Sequence, residues 1–221
     1  MSEVRNVEVL RDRAGELGPR DGFLKLRRLT VRNQYLDGSH STEYACDVVS
    51  RTHVDAVTVV LFERTPEGAR VGLRENLRVP VWLRRTNPDV LFPDDPQDDT
   101  VLETVAGVLE RGDAENLEQA LVARLVAEAE EEVGLRVDPA RVLDLGAAAY
   151  PSPGITDEKV FFKAAEVDFA TALPPKGDGS TMEEVGGLVV LSLTEALARC
   201  HDGRIADMKT EIALRRLREA L

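Results

Sequence analysis

The sequence predicts an α/β protein: an α/β/α sandwich around a mixed sheet, preceded by a small antiparallel β subdomain at the N-terminus. Three observations predict it. Residues 23–32 and 42–49 alternate apolar and polar side chains on either side of a turn at Leu36, Asp37, Gly38 and Ser39, the pattern of a hairpin with one covered face. Residues 54–62 are more continuously apolar, as a strand covered on both faces requires. Residues 114–133 are rich in Ala, Leu and Glu, with Leu121, Leu125, Ala129 and Val133 spaced by four, and further helical stretches close the chain, so helices are available to cover a sheet. The expected division is residues 1–50 for the β subdomain, the part expected to pair subunits, and 51–221 for the main domain.

Within the main domain, the strand at 54–62 is followed by a turn at Thr65, Pro66, Glu67 and Gly68 and by a returning strand at 69–78. Residues 87–100 hold three prolines and five aspartates with no apolar period, so an acidic loop is expected. A turn is expected at Gly107. The helix at 114–133 should end at Gly134, where a left-handed residue is wanted. Strands are expected at 142–148 and 159–167, flanking a loop with Pro151 and Pro153, then a loop at 174–182 and a strand from Glu183 through Leu191. Helices at 194–200 and 207–221 complete the chain, the second with Met208, Ile212 and Leu217 as a buried stripe.

Composition narrows the function. With 221 residues and 43% hydrophobic content, the chain can bury a full core as one domain plus a small appendage. A net charge of −12 argues against nucleic acid, whose phosphates are met by concentrated Lys and Arg. The first residues form no apolar leader and no apolar run approaches membrane-spanning length, so a cytoplasmic protein without a membrane partner is expected. Cys46 and Cys200 are far apart, and His40, His53 and His201 lack ligand spacing, so neither a disulfide framework nor a zinc site is suggested.

Two charge patterns stand out. Glu128, Glu131 and Glu132, at i, i+3 and i+4, share one face of the expected helix, a crowding of like charge relieved by water or by a cation. Carboxylate oxygens suit Mg²⁺ or Mn²⁺; a solvated acidic face is the other reading. Between residues 64 and 85, Arg64, Arg70, Arg74, Arg78, Arg84 and Arg85 face only Glu67 and Glu75, opposite to the overall charge. Phosphate contacts are sought there first, against the alternative of a hairpin with solubilising charges.

The acidic helix resembles the end of a Nudix box. Ala106 and Gly107 stand at its start, Asp113 where the pattern has Glu, Ala127 where it has Arg, then Glu128, Glu131, Glu132, Gly134 and Leu135. Thirteen residues, 114–126, occupy a stretch where the pattern has seven. Downstream, Tyr150 to Gly154 followed by Thr156, Asp157 and Glu158 resembles a loop of the ADP-ribose pyrophosphatase branch. Gly203, Ile205, Asp207, Lys209 and Thr210 are similar to the stretch opening that branch's last helix.

The resemblance implies a Nudix-type sandwich and hydrolysis of a nucleoside diphosphate sugar. Pro151, sixteen beyond Leu135, points to ADP-ribose first, giving AMP and ribose 5-phosphate, with UDP- or GDP-sugars next. It implies two or more Mg²⁺ or Mn²⁺ held by Glu128, Glu131, Glu132 and the Ala106 carbonyl. A catalytic glutamate is implied at Glu183 or Glu184, with Glu131 and Glu158 as further candidates. Substrate contacts are implied at Arg74, Arg78, Glu103, Ser152, Pro153 and Gly154, and a homodimer through the hairpin at 23–49, with Leu24, Leu26, Leu29 and Val31 as candidate contacts. Arg124, one turn before Glu128, stands as a substitute for the missing box arginine, and the extra residues are expected before the carboxylates, leaving their register intact. A catalytically silent Nudix domain that senses a nucleotide sugar or scaffolds a partner is the alternative.

Overall fold

The computed structural model describes residues 4–12, 23–92, 100–112, 115–175 and 187–221. They fall into two compact units, residues 1–54 with 150–159, and residues 55–149 with 160–221.

In the first unit β1 (Val4–Asp12), β2 (Leu24–Tyr35) and β3 (Tyr44–Arg51) form an antiparallel sheet in that order. The expected hairpin is β2 with β3; its third strand, β1, was not foreseen. Leu29 and Val31 are buried, whereas Phe23, Leu24 and Leu26 are exposed. The segment 150–159 joins this unit: Val49 donates its N–H to the Ile155 carbonyl at 2.8 Å and bridges to Thr156.

The second unit is built on a seven-stranded mixed sheet. In chain order its elements are β4 (Ala56–Thr65), β5 (Gly68–Asn76), α1 (Val79–Arg84), β6 (Val101–Glu103), β7 (Val105–Val108), α2 (Leu117–Val133), β8 (Val142–Asp144), β9 (Val160–Glu166), β10 (Leu188–Ser192), α3 (Leu193–His201) and α4 (Met208–Ala220). The sheet runs β10, β5, β4, β9, β8, with β6 on β5 and β7 on β4; β4 and β9 are parallel and the other pairings antiparallel. Alternation along β4 splits the core. Val57, Val59 and Leu61 pack with Leu121, Leu125, Ala129 and Val133 of α2, while Val60 and Phe62 pack with Ala196, Ala213, Leu214 and Leu217 of α3 and α4. That is the expected α/β/α sandwich with a mixed sheet.

Several details depart from the sequence reading. Met208, expected in the buried stripe of the last helix, is exposed; α4 buries Thr210, Ala213, Leu214 and Leu217. Gly107 is no turn: it lies inside β7, sharing with Val105 the face toward α2. Helix α2 begins at Leu117, where the Asn116 side chain accepts from the Gln119 N–H at 3.0 Å, a capping contact stronger than helix propensity at residues 115 and 116. The strand expected through 148 stops at Asp144, because Gly146 turns to φ 89°. Finally, α1 follows directly on Arg78; its six residues bury none of their side chains, so no amphipathic period announced it. Residues 93–99 of the expected acidic loop and 176–186, including Glu183 and Glu184, lie outside the described residues.

Candidate active site

Helix α2 sets the carboxylates. It runs unbroken for 17 residues and ends on Gly134, whose φ of 66° lets its N–H reach the Ala129 and Glu130 carbonyls. An unbroken helix keeps Glu128, Glu131 and Glu132 on one face. Residues 117–126 of the longer stretch are helical and lie before these three carboxylates on α2.

Glu128 lies directly over β7. A methyl group added at Gly107 would meet the Oε1, Cδ and Cγ atoms of Glu128 well inside van der Waals contact. Glycine here makes room for a carboxylate beside the backbone of residues 106 and 107, so the Ala106 peptide and Glu128 are neighbours. Arg124 holds the same carboxylate from one turn earlier, its Nη1 at 3.7 Å from Glu128 Oε1, while its Nη2 lies 3.4 Å from Glu110 Oε2. On the other side of the face, Glu132 Oε2 is 3.6 Å from Nη1 of Arg74 on β5, which is 3% exposed. Glu131 is half-buried on the same helix. Among the described residues, no three His, Cys, Asp or Glu side chains converge closely enough to hold a metal ion; Glu128 and Glu132 instead each meet an arginine. The donor chemistry nevertheless suits Mg²⁺ or Mn²⁺: the carboxylates of Glu128 and Glu132 and the backbone carbonyl beside Glu128 are all oxygen ligands.

A second polar cluster lies where β5, β6 and α4 meet. Glu103, 2% exposed, accepts from Arg78 Nε at 2.5 Å, Asn76 Nδ2 at 3.1 Å and Lys209 Nζ at 2.5 Å. Burial pushes the Glu103 carboxyl up, but the charges and hydrogen bonds of Lys209 and Arg78 outweigh it and hold the group below the ordinary carboxylate value. Burial acts against the charged Lys209 as well, yet Asp207 and Glu103 keep its ammonium above the usual lysine value. Burial acts against the charged Arg78 too, but Glu103, Glu132 and Asp207 raise it above the usual arginine value. Asp207 caps α4, accepting from the Thr210 N–H at 3.0 Å and its hydroxyl at 2.6 Å. Thr210 Oγ1 in turn accepts from the Thr104 N–H at 2.8 Å, and the Thr104 hydroxyl meets that of Thr58 at 2.7 Å. This buried chain ties the start of α4 to the sheet beside Glu103. The sequence stretch holding Asp207, Lys209 and Thr210 was singled out, but nothing in it showed that Lys209 would pair with Glu103, 106 residues away.

Of the expected site residues, the second unit thus holds Arg74, Arg78, Glu103, Ala106, Glu128, Glu131 and Glu132. Ser152, Pro153, Gly154 and Glu158 belong to the first unit, where Arg51 Nη2 donates to Glu158 Oε1 at 2.7 Å and Ser50 Oγ to Asp157 at 3.0 Å.

Known proteins are similar to this chain in sequence and fold. The chain is 33% identical over 178 residues to a GDP-mannose pyrophosphatase of Yersinia enterocolitica, covering 80% of each. It is 32% identical over 192 residues to the protein of the same name from Yersinia pestis, covering 87% of this chain and 83% of the relative. Against that of Cronobacter sakazakii it is 29% identical over 213 residues, 96% of this chain and 95% of the relative. No protein-family model matches. The whole chain superposes on 94% of a crystal structure described as an ADP compounds hydrolase, with a TM-score of 0.61 and 16% identity, which shows a common fold. The chain belongs to the Nudix hydrolases, on their ADP-ribose pyrophosphatase-like branch. It is a pyrophosphatase of that family. No helix among the described residues is long and apolar enough to cross a membrane.

Proposed function

We propose that the chain hydrolyses the diphosphate linkage of a nucleoside diphosphate sugar in a reaction dependent on Mg²⁺ or Mn²⁺. The observation that carries this reading is the placement of Glu128 and Glu132 on one helix face, Glu128 against the Ala106–Gly107 backbone and Glu132 against Arg74 of β5. The names of the relatives favour a GDP-sugar, GDP-mannose first; Pro151 keeps ADP-ribose next and UDP-sugars behind it.

Glu128, Glu132 and the Ala106 carbonyl are the groups that would hold the cations, with Glu131 beside them. Bound divalent cations neutralise the non-bridging phosphate oxygens and lower the pKa of a coordinated water. Arg78 binds and orients: its Nε is fixed by Glu103, and the terminal amino groups of the half-exposed guanidinium donate to phosphate oxygens. Lys209 and Asn76 keep Glu103 in place and ionised, so Arg78 has a rigid counter-charge. In the hydrolysis, water oxygen forms a bond to one phosphorus, the bridging P–O bond breaks, and the water proton passes to a carboxylate. Glu158 accepts from Arg51 through Oε1, which leaves Oε2 to take a proton. Glu131, Glu158, Glu183 and Glu184 are the candidates for the base. The hairpin of β2 and β3, with Leu24 and Leu26 exposed, is the surface for pairing with a second copy.

The test is hydrolysis of GDP-mannose, ADP-ribose and UDP-glucose by the purified chain in Mg²⁺, in Mn²⁺ and in EDTA, with products resolved by chromatography. Nucleoside monophosphate and sugar phosphate should appear with metal and not with EDTA. Binding of a nucleotide sugar without turnover in either metal would instead establish the silent, sensing reading that Ala127 and Asp113 keep in view.

A further inference from the structure

We infer that Arg74 and Arg124 are positioning residues for the two carboxylates Glu132 and Glu128, one acting from β5 and the other from the preceding turn of α2. The inference rests on the metal-dependent reading above and adds how its ligands are aimed.

A buried arginine on a central sheet strand is costly unless a carboxylate meets it. Arg74 sits at that position, 3% exposed, and its partner is Glu132 in the last turn of α2, with an 11% exposed side chain. The pair joins sheet to helix at the point where Glu132 faces the site. Arg124 does the corresponding work for Glu128. Both side chains are sheltered, at 16% and 15% exposure, and the second contact of Arg124, to Glu110 just after β7, links the helix to the strand that carries Ala106 and Gly107. Glu132 thus meets an arginine of β5, and Glu128 one of α2. The planar, multi-donor guanidinium suits this task better than an ammonium point charge. Arg74, expected from the sequence to contact substrate, reaches Glu132 at 3.6 Å.

The sign of one measurement decides the matter. An arginine beside a ligand carboxylate either aims it or competes with the incoming cation. Removing an aiming group weakens metal binding, by about 10–100-fold for outer partners of ligands, whereas removing a competitor strengthens it. Mn²⁺ binding to the full-length chain is measured from the electron paramagnetic resonance signal of unbound Mn²⁺, for wild type, Arg74→Gln, Arg124→Gln, the two Lys variants and Glu132→Gln, each with a thermal melt. The Gln variants should bind Mn²⁺ about 10–100-fold more weakly, with KM for the nucleotide sugar unchanged at saturating Mn²⁺. The Lys variants should recover part of the loss. Unchanged or tighter Mn²⁺ binding, or a raised KM alone, overturns the proposal. If Arg74→Gln does not fold, Arg124→Gln, within helix α2, and Arg74→Lys carry the same decision. Failure of the underlying reading looks different: wild type would show no Mn²⁺ binding that Glu132→Gln removes.

Discussion

Replacing Gly107 with alanine is a one-carbon change that separates a catalytic effect from a folding effect. The added Cβ would lie within 3.0 Å of Oε1, Cδ and Cγ of Glu128, and the three nearest atoms all belong to that one side chain. The backbone of β7 need not move; Glu128 must. Overpacking of this kind costs about 1–3 kcal/mol, the lower end if the Glu128 side chain finds another rotamer. For a chain of this size that is a fall of about 2–4 °C in Tm per kcal/mol. The functional cost is larger, because a ligand carboxylate pushed off by about 1 Å costs about 100-fold in turnover. Gly107→Ala should therefore melt cooperatively within several degrees of wild type while its hydrolysis of GDP-mannose, followed by release of sugar phosphate, falls about 100-fold. Wild-type turnover in a folded Gly107→Ala protein would refute the placement of Glu128 in the reaction.

Other outcomes follow from the same geometry. Gly134→Ala forces a side chain onto φ 66° and drives its Cβ into the Leu173 carbonyl, so urea titration should show a loss of at least about 1–3 kcal/mol. Glu103 is held below its ordinary value of 4.5 by Lys209 and Arg78, so the stability it contributes is present above pH 4.5 and lost as pH falls through the lowered folded value. Glu103→Gln should cost about 3–5 kcal/mol near pH 7, with the Tm gap to wild type closing on acidification; a constant gap down to the acid transition would count against the network. Light scattering of the purified chain should give about twice 24.3 kDa if β2 and β3 pair subunits, and a mass near 24.3 kDa would remove the dimer.

How much of this was legible in the sequence depended on range. Helix α2 was legible because its core residues repeat by four and Gly134 ends it, both local signals. Arg124 was legible for the same reason, one turn from Glu128. Gly107 was misread as a turn because glycine usually marks one; its actual reason is a side chain 21 positions on, which no local pattern carries. Lys209 and Thr210 reach Glu103 and Thr104 across 106 residues, so their roles appear only when α4 docks on the sheet. Helix α1 lacks an apolar stripe because it buries nothing, and the third strand of the N-terminal sheet was hidden because β1 pairs across residues 13–23 rather than through a tight turn. Arg74 was seen as one of many arginines; that it alone among them is buried follows from its place on β5 toward α2, not from its neighbours in sequence.

The central claim, that the α2 carboxylates run a metal-dependent hydrolysis, is tested most directly by Glu132→Gln. The change keeps size and helix propensity and removes one charged ligand. Assayed beside wild type with GDP-mannose and ADP-ribose at saturating Mn²⁺, with circular dichroism to verify the fold, Glu132→Gln should lose turnover by orders of magnitude while remaining helical. Hydrolysis by Glu132→Gln at the wild-type rate would show that the chemistry lies elsewhere.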